Sequence, residues 1–127
     1  MTKRAVILVV DDDEPILLLM RNLLREFGFE PVVARSGAAA IDQARQHHPD
    51  LILLDRNMPG MNGDEVLREI RSISPLVSTP VLILSGQPLR KSEIEALGAT
   101  DAILKPFDVA ALVETIRRHL AERDIGG

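Results

Sequence analysis

Residues 51–60, LILLDRNMPG, set the architecture of this chain. Four apolar residues lead directly into Asp55, and a Met-Pro-Gly turn follows shortly after it. A short apolar run that is bounded by turn signals is typical of a buried strand in a parallel sheet. The last residue of such a strand lies at the carboxyl edge of the sheet, where open α/β sheets bind their ligands. Because a buried carboxylate is costly unless a charged group meets it, we expect charged partners beside Asp55.

The composition is that of an ordinary globular protein, since 46% of the 127 residues are apolar and 27% are charged. This length predicts one domain over residues 1–127, with its core between about 5 and 121. No apolar run approaches the roughly 18 residues of a membrane span and no signal-peptide pattern opens the chain, so we expect a cytoplasmic protein without a membrane partner. The absence of cysteine excludes disulfides and zinc–thiolate sites. The net charge of −4 and the lack of Tyr and Trp argue against direct nucleic-acid binding.

The rest of the sequence alternates short apolar runs with helical patterns. Runs of apolar, often β-branched residues predict strands at 5–10, 31–34, 51–54, 80–84 and 102–104. Apolar residues at helical spacing predict helices at about 14–27, 37–47, 64–74, 90–97 and 109–120. Asp13 is expected to cap the first helix. The residues expected on the inner face of that helix are Ile16, Leu19, Met20, Leu23 and Phe27. This alternation predicts a doubly wound, three-layer α/β domain with a parallel sheet and right-handed crossovers.

Polar residues directly follow four of the predicted strands. They are Asp11 and Asp12 after the first strand, Asp55 after the third, Ser85 after the fourth and Lys105 after the fifth. Because the carboxyl ends of parallel strands share one edge of the sheet, we expect these side chains to meet in one crevice. Clustered carboxylates repel one another and a single lysine cannot neutralise three of them, which predicts a bound cation. Oxygen ligands without nearby His or Cys are typical of Mg²⁺.

These groups are suited to phosphoryl transfer onto a carboxylate. Asp55 can attack phosphorus and form an aspartyl phosphate. A cation and Lys105 would neutralise the phosphoryl oxygens, and Ser85 has the reach to donate a hydrogen bond to one of them. The compact ammonium of Lys105 suits a phosphoryl group as a point charge. Pro106 permits a cis peptide bond after this lysine.

Four motifs resemble, in their order and spacing, the receiver domain of two-component response regulators. They are VVDDDEP at 9–15, LLDRNMPGMNG at 53–63, LILSG at 82–86 and ILKPF at 103–107. The resemblance extends from about residue 5 to residue 120. It implies a flavodoxin-like fold with five helices and a five-stranded parallel sheet in the order 2-1-3-4-5. It also implies a signalling role rather than that of a classical enzyme.

The resemblance implies roles for the residues at the carboxyl edge. Asp55 would take a phosphoryl group from the phosphohistidine of a sensor histidine kinase or of a phosphotransfer protein. The metal ligands would be Asp12, Asp55 and the main-chain carbonyl of Asn57, with Asp11 helping through water. Ser85 would move to meet the phosphoryl group, and Lys105 would form a salt bridge to it. The signal would pass to a downstream protein, or to an output domain if the receiver belongs to a longer protein.

The sequence departs from the usual family pattern at three places. Ala102 stands where an aromatic ring usually turns inward, so the aromatic switch cannot operate here. The interval 85–98 is shorter than usual and contains a proline, which predicts a short or irregular fourth helix. Gly86 replaces a frequent alanine and should leave the pocket more open. We expect Arg56, Met58 and Gly86 at the rim of the pocket.

Three other functions compete with this interpretation. A pseudo-receiver would use the same fold for protein contacts without phosphorylation, and the missing aromatic ring keeps this alternative open. A haloacid-dehalogenase-like phosphatase would need an acid/base Asp where Asn57 stands. A flavodoxin-type flavin domain would need a phosphate loop where the sequence has three consecutive aspartates. We expect His47 and His48 to interact only with a helix dipole, and His119 to be solvated.

Overall fold

The computed structural model describes residues 3–60 and 62–126. The strands are β1 (Val6–Val10), β2 (Glu30–Ala34), β3 (Leu51–Asp55), β4 (Val81–Ser85) and β5 (Asp101–Leu104). The helices are α1 (Glu14–Glu26), α2 (Gly37–His47), α3 (Gly63–Ser72), α4 (Lys91–Leu97) and α5 (Val109–Gly126), and a 3₁₀ turn spans Ser74–Leu76. All strands are parallel and lie in the order β2-β1-β3-β4-β5, which confirms the expected fold. Within the two described ranges, no helix combines the length and the apolar content of a membrane-spanning segment.

The alternation of side chains along the strands produces the three layers. Val10 and Leu54 belong to a cluster that packs against α2 and α3. Val9 and Leu53, which point the other way, belong to a second cluster that packs against α1 and α5. Every residue of β3 and β4 is buried, as expected for central strands covered on both faces. The central strands therefore end in a rigid framework, which fixes the direction of the residues that follow them.

The prediction for the inner face of α1 was wrong. The helix buries Leu17, Met20 and Leu24, whereas Ile16 and Leu19 are 39% and 57% exposed. Phe27 is also exposed, at 37%. The segment from residue 16 to residue 20 is entirely apolar, so it offers two overlapping stripes at helical spacing. Spacing alone cannot decide between them, and packing against the sheet selected the stripe that includes Leu17 and Leu24.

Helix α4 is short, as predicted. It has seven residues, and none of them is buried. The Glu93 carboxylate accepts a hydrogen bond from the Arg90 main-chain N–H at 3.2 Å, and Gly98 ends the helix in the left-handed conformation with φ of 83°. The helix is held mainly by its ends, so it is the least anchored of the five in its packing.

Arg71 connects three segments around the end of α3. Its Nε donates to the carbonyl oxygen of Gly98 at 2.9 Å. Its Nη1 lies 2.9, 3.2 and 2.7 Å from the carbonyl oxygens of Leu76, Val77 and Thr79. Burial lowers the pKa of the guanidinium, which donates to main-chain carbonyl oxygens. Arg71 therefore ties α3 to the 3₁₀ turn and to the end of α4.

We expect Arg71→Met to lower the free energy of unfolding by about 2 kcal/mol, because several carbonyls lose a charged donor. The stability of Arg71→Lys should lie between those of Arg71→Met and the wild type, since an ammonium cannot reach as many carbonyls as the guanidinium fork. Urea unfolding monitored by circular dichroism would measure both. Arg68→Met, at an exposed position of the same helix, is the control and should change stability by less than about 0.5 kcal/mol. Equal losses at positions 68 and 71 would contradict this role.

Candidate functional site

Three carboxylates meet at the carboxyl edge of the sheet. Asp11 directly follows β1 and Asp55 is the last residue of β3, and each residue is only 3% exposed. Asp12 lies beside them and is exposed. Asp11, Asp12 and Asp55 each offer a carboxylate oxygen, and these oxygens all lie within 4.8 Å of one another. Strands β1 and β3 are neighbours in the sheet, which explains why residues so far apart in sequence converge.

Lys105 is the cation that meets Asp55. Its Nζ lies 2.7 Å from Asp55 Oδ1. The main-chain N–H of Lys105 donates to the carbonyl oxygen of Ser85 at 2.8 Å, which continues the β4–β5 pairing. The peptide bond between Lys105 and Pro106 is cis. The lysine side chain is 33% exposed and that of Asp55 is 5% exposed, so the pair lies at the mouth of a largely buried site.

The acidic edge carries an excess of negative charge, because three carboxylates face one lysine. Burial is the main cause that raises the pKa of Asp11. A hydrogen bond from the Asp13 main-chain N–H, at 2.9 Å, opposes this shift. The charges of Asp55 and Asp12 raise the pKa further, whereas Lys105 lowers it. Three oxygen donors, no His or Cys in the group and an uncompensated negative charge fit a hard divalent cation such as Mg²⁺.

The hydroxyl of Ser85 is turned toward its own loop. Ser85 Oγ donates to the carbonyl oxygen of Gln87 at 2.8 Å and accepts from the main-chain N–H of Gln87 at 3.1 Å. Ser85 has the same strand parity as Ile83, so its side chain leaves the sheet on the α3 side. There it borders a cavity of about 360 Å³ lined by Arg56, Asn57, Ser85, Gly86 and Gln87. Sequence reasoning missed Gln87, because an exposed loop glutamine carries no distinctive pattern.

The residues expected at the rim occupy different environments. Arg56 and Gly86 line the cavity. Met58 does not, because its side chain is 7% exposed and packs in the α2–α3 core cluster. The Asn57 main-chain N–H lies 3.4 Å from Asp55 Oδ1, which places the backbone of Asn57 beside the acidic cluster. An apolar methionine in a loop that closes over a core packs inward more favourably than at a polar rim.

Position 102 and the histidines lie away from the acidic cluster. Ala102 is partly exposed in β5. The prediction that His119 is solvated was wrong, since it is 9% exposed and its Nε2 lies 2.9 Å from Asp101 Oδ2. Burial raises the pKa of Asp101, but hydrogen bonds from His119 and the Ala102 N–H, with the charges of His119 and Arg118, outweigh it and give a net lowering. Residues 47 and 48, both exposed, lie at the end of α2, toward the opposite edge of the sheet.

Comparisons with known proteins agree with this geometry. The sequence model of the family described as "Response regulator receiver domain" matches residues 7–117. The polar-differentiation response regulator DivK of Brucella ovis is 36% identical over 118 residues, which cover 91% of this chain and 96% of that protein. The solved structure of the chemotaxis protein CheY4 of Vibrio cholerae has a TM-score of 0.86 at 34% identity and covers 91% of this chain and 98% of that chain. A CheY-like receiver domain protein from Methanospirillum hungatei has a TM-score of 0.89 at 26% identity and covers 98% of this chain and all of that chain.

Proposed function

Because this chain belongs to the response regulator receiver domain family, we propose that it is a phospho-accepting receiver of a two-component phosphorelay. Asp55 is the acceptor, and the donor is the phosphohistidine of a sensor histidine kinase or of a phosphotransfer protein. The observation that supports this most directly is the buried Asp55 carboxylate, 2.7 Å from the Lys105 ammonium and within 4.8 Å of two further carboxylates. Residues 1–127 act as a single receiver domain with its core at about 5–121, in the cytoplasm.

In the transfer step, an Asp55 oxygen attacks phosphorus. The bond between phosphorus and the imidazole nitrogen of the donor breaks, and the imidazole leaves with that electron pair. Lys105 moves from the free carboxylate to a phosphoryl oxygen and keeps the transferred charge neutralised. Mg²⁺ would be bound by Asp12, Asp55 and the main-chain carbonyl of Asn57, with Asp11 contributing through a water molecule. The bound ion supplies positive charge that offsets the phosphoryl oxygens.

Ser85 provides the route by which phosphorylation changes protein contacts. To donate to a phosphoryl oxygen, its hydroxyl must leave Gln87, and two hydrogen bonds within the β4–α4 loop are then lost. The loop leads into α4, which buries none of its residues and is therefore free to shift. This route replaces the aromatic switch that Ala102 cannot provide. The surface formed by α4, β5 and α5 then presents a changed face to a downstream protein or to an output domain, rather than to nucleic acid or a membrane.

The test is phosphoryl uptake from acetyl phosphate, measured on a phosphate-affinity gel with and without Mg²⁺. We expect the wild type to be modified only with Mg²⁺. Asp55→Asn should not be modified at all, because the neutral amide oxygen is too weak a nucleophile to attack phosphorus. Asp42→Asn, at an exposed position of α2, is the matched control and should be modified normally. Amide chemical shifts on α4, β5 and α5 should change in the modified protein.

A folded wild type that accepts no phosphoryl group, from acetyl phosphate or from a phosphorylated histidine kinase, would support the pseudo-receiver alternative. Uptake that persists in Asp55→Asn would place the acceptor elsewhere. Uptake without any change of amide shifts on the α4–β5–α5 surface would retain the acceptor site and refute the proposed output surface.

A further inference from the structure

Arg56 connects the two ends of the segment between β3 and α3. The main chain of Arg56 is held twice, since its N–H donates to Leu84 O at 3.1 Å and its carbonyl accepts from Gly63 N–H at 3.0 Å. Its side chain is held as well. Nε lies 3.2 Å from Asp64 Oδ1 and Nη2 lies 3.4 Å from Asp64 Oδ2, in a forked pairing. We call this side-chain pair the Arg56–Asp64 clasp.

The clasp joins the two ends of the loop that contains Asn57. Arg56 is the first residue after β3, and Asp64 lies in the first turn of α3. Each side chain is 30% exposed, so the pair is partly shielded from water and stronger than a fully exposed ion pair. The next residue in the chain is Asn57, whose main-chain N–H lies 3.4 Å from Asp55 Oδ1. A change at the clasp therefore moves the peptide groups next to the acidic cluster.

A main-chain carbonyl is a demanding ligand for Mg²⁺. The ion requires near-ideal octahedral geometry, and a carbonyl can be aimed only by the backbone that carries it. Mutation of groups that hydrogen-bond to metal ligands and orient them typically lowers metal affinity by about 10- to 100-fold. The clasp also cancels its own charge, so it fixes the loop without adding a net charge beside three carboxylates.

We propose that Arg56 and Asp64 are positioning residues that orient the Asn57 carbonyl for metal binding. This inference rests on the proposed function, because it concerns the Mg²⁺ site of the receiver. It assigns a role to Arg56 that differs from simply bordering the cavity. It also assigns a role to Asp64, which the sequence alone presents only as an acidic residue in the first turn of a helix.

The key variant is Arg56→Gln/Asp64→Asn, which removes one charge of each sign and leaves the net charge unchanged. Mg²⁺ titration followed by amide chemical shifts should show binding about tenfold weaker than in the wild type, at the low end of the effect of groups that orient metal ligands. In metal-free protein, hydrogen exchange of the Gly63 amide should be several-fold faster, because its bond to Arg56 O joins the same two ends of the loop. Arg56→Lys should give an intermediate affinity, since a lysine can hold Asp64 with one end only.

The matched control is Glu14→Gln/Arg35→Gln. This pair, at 3.6 Å, also lies near the carboxyl edge of the sheet, but its side chains are 70% and 64% exposed and it does not close the loop. Its removal should leave Mg²⁺ affinity within about twofold. Equal affinity of the clasp variant and the wild type would overturn the inference and leave the proposed function intact. A wild type that binds no Mg²⁺ would overturn both the inference and the proposed function. If the control variant also binds Mg²⁺ more weakly, the effect comes from surface charge and the inference is overturned.

Discussion

Gly63→Ala is expected to lower the free energy of unfolding by about 3 kcal/mol and to displace the phosphoacceptor. A Cβ at this position would lie 2.6 Å from Asp55 O, 2.7 Å from Arg56 Cα and 3.1 Å from Arg56 O. These are all backbone atoms, so no flexible side chain can move aside. Either α3 shifts away from the sheet, or the end of β3 moves and takes Asp55 with it.

Two measurements test this expectation. Urea unfolding would give the loss of stability. The rate of phosphoryl uptake from acetyl phosphate should also be lower, even per folded molecule, because Asp55 is displaced. The control is Gly86→Ala, since a Cβ at Gly86 meets nothing within 4 Å. That variant should change stability by less than about 1 kcal/mol, because the added Cβ has room and Ala lowers the conformational entropy of the unfolded chain. If the two variants lose similar stability, the close approach of α3 to the end of β3 does not limit the fold.

The elements of this fold follow from its sequence because local and long-range signals agree. The run at 51–54 is too short for a helix and too apolar for a loop, and it becomes a strand buried on both faces. Asp13 was expected as a helix cap, and its side chain accepts from Ile16 N–H at 3.3 Å. Residues that directly follow strands converge because the sheet is parallel, which is why Asp11 and Lys105 could be assigned to the same edge as Asp55.

Other features depend on contacts that no local pattern encodes. The orientation of α1 depends on which of two apolar stripes fits the sheet. The burial of His119 depends on Asp101, which lies eighteen positions away. The side chain of Ser85 was correctly placed on a strand end, but its hydrogen bonds to Gln87 depend on the path of the following loop. In each case the outcome depends on a tertiary contact, which the local spacing of residues in the sequence does not reveal.

The negative charge of Asp11 should cost the metal-free fold stability. Burial and the charges of Asp55 and Asp12 raise its pKa above the ordinary value of 3.8, against the Asp13 N–H and Lys105. A carboxyl whose pKa is raised by folding destabilises the folded state once the pH exceeds its ordinary value, and the penalty is complete above the raised pKa. At pH 7, without Mg²⁺, Asp11→Asn should therefore unfold at a higher urea concentration than the wild type.

Addition of Mg²⁺ should reverse this order. A ligand that binds only the folded state stabilises it by about 2.7 kcal/mol at a hundred times its dissociation constant. Asp11→Asn should lose most of this gain, because one of the negative charges beside the ion is gone. Urea unfolding at pH 7, with and without saturating Mg²⁺, would measure both effects. Asp13→Asn is the control, because Asn caps helices as well as Asp and residue 13 is not in the acidic cluster. This variant should keep the stabilisation by Mg²⁺ that the wild type shows. If Asp11→Asn is less stable than the wild type without metal, the Asp11 charge supports the fold. If Mg²⁺ stabilises Asp11→Asn as much as the wild type, Asp11 does not belong to the metal site.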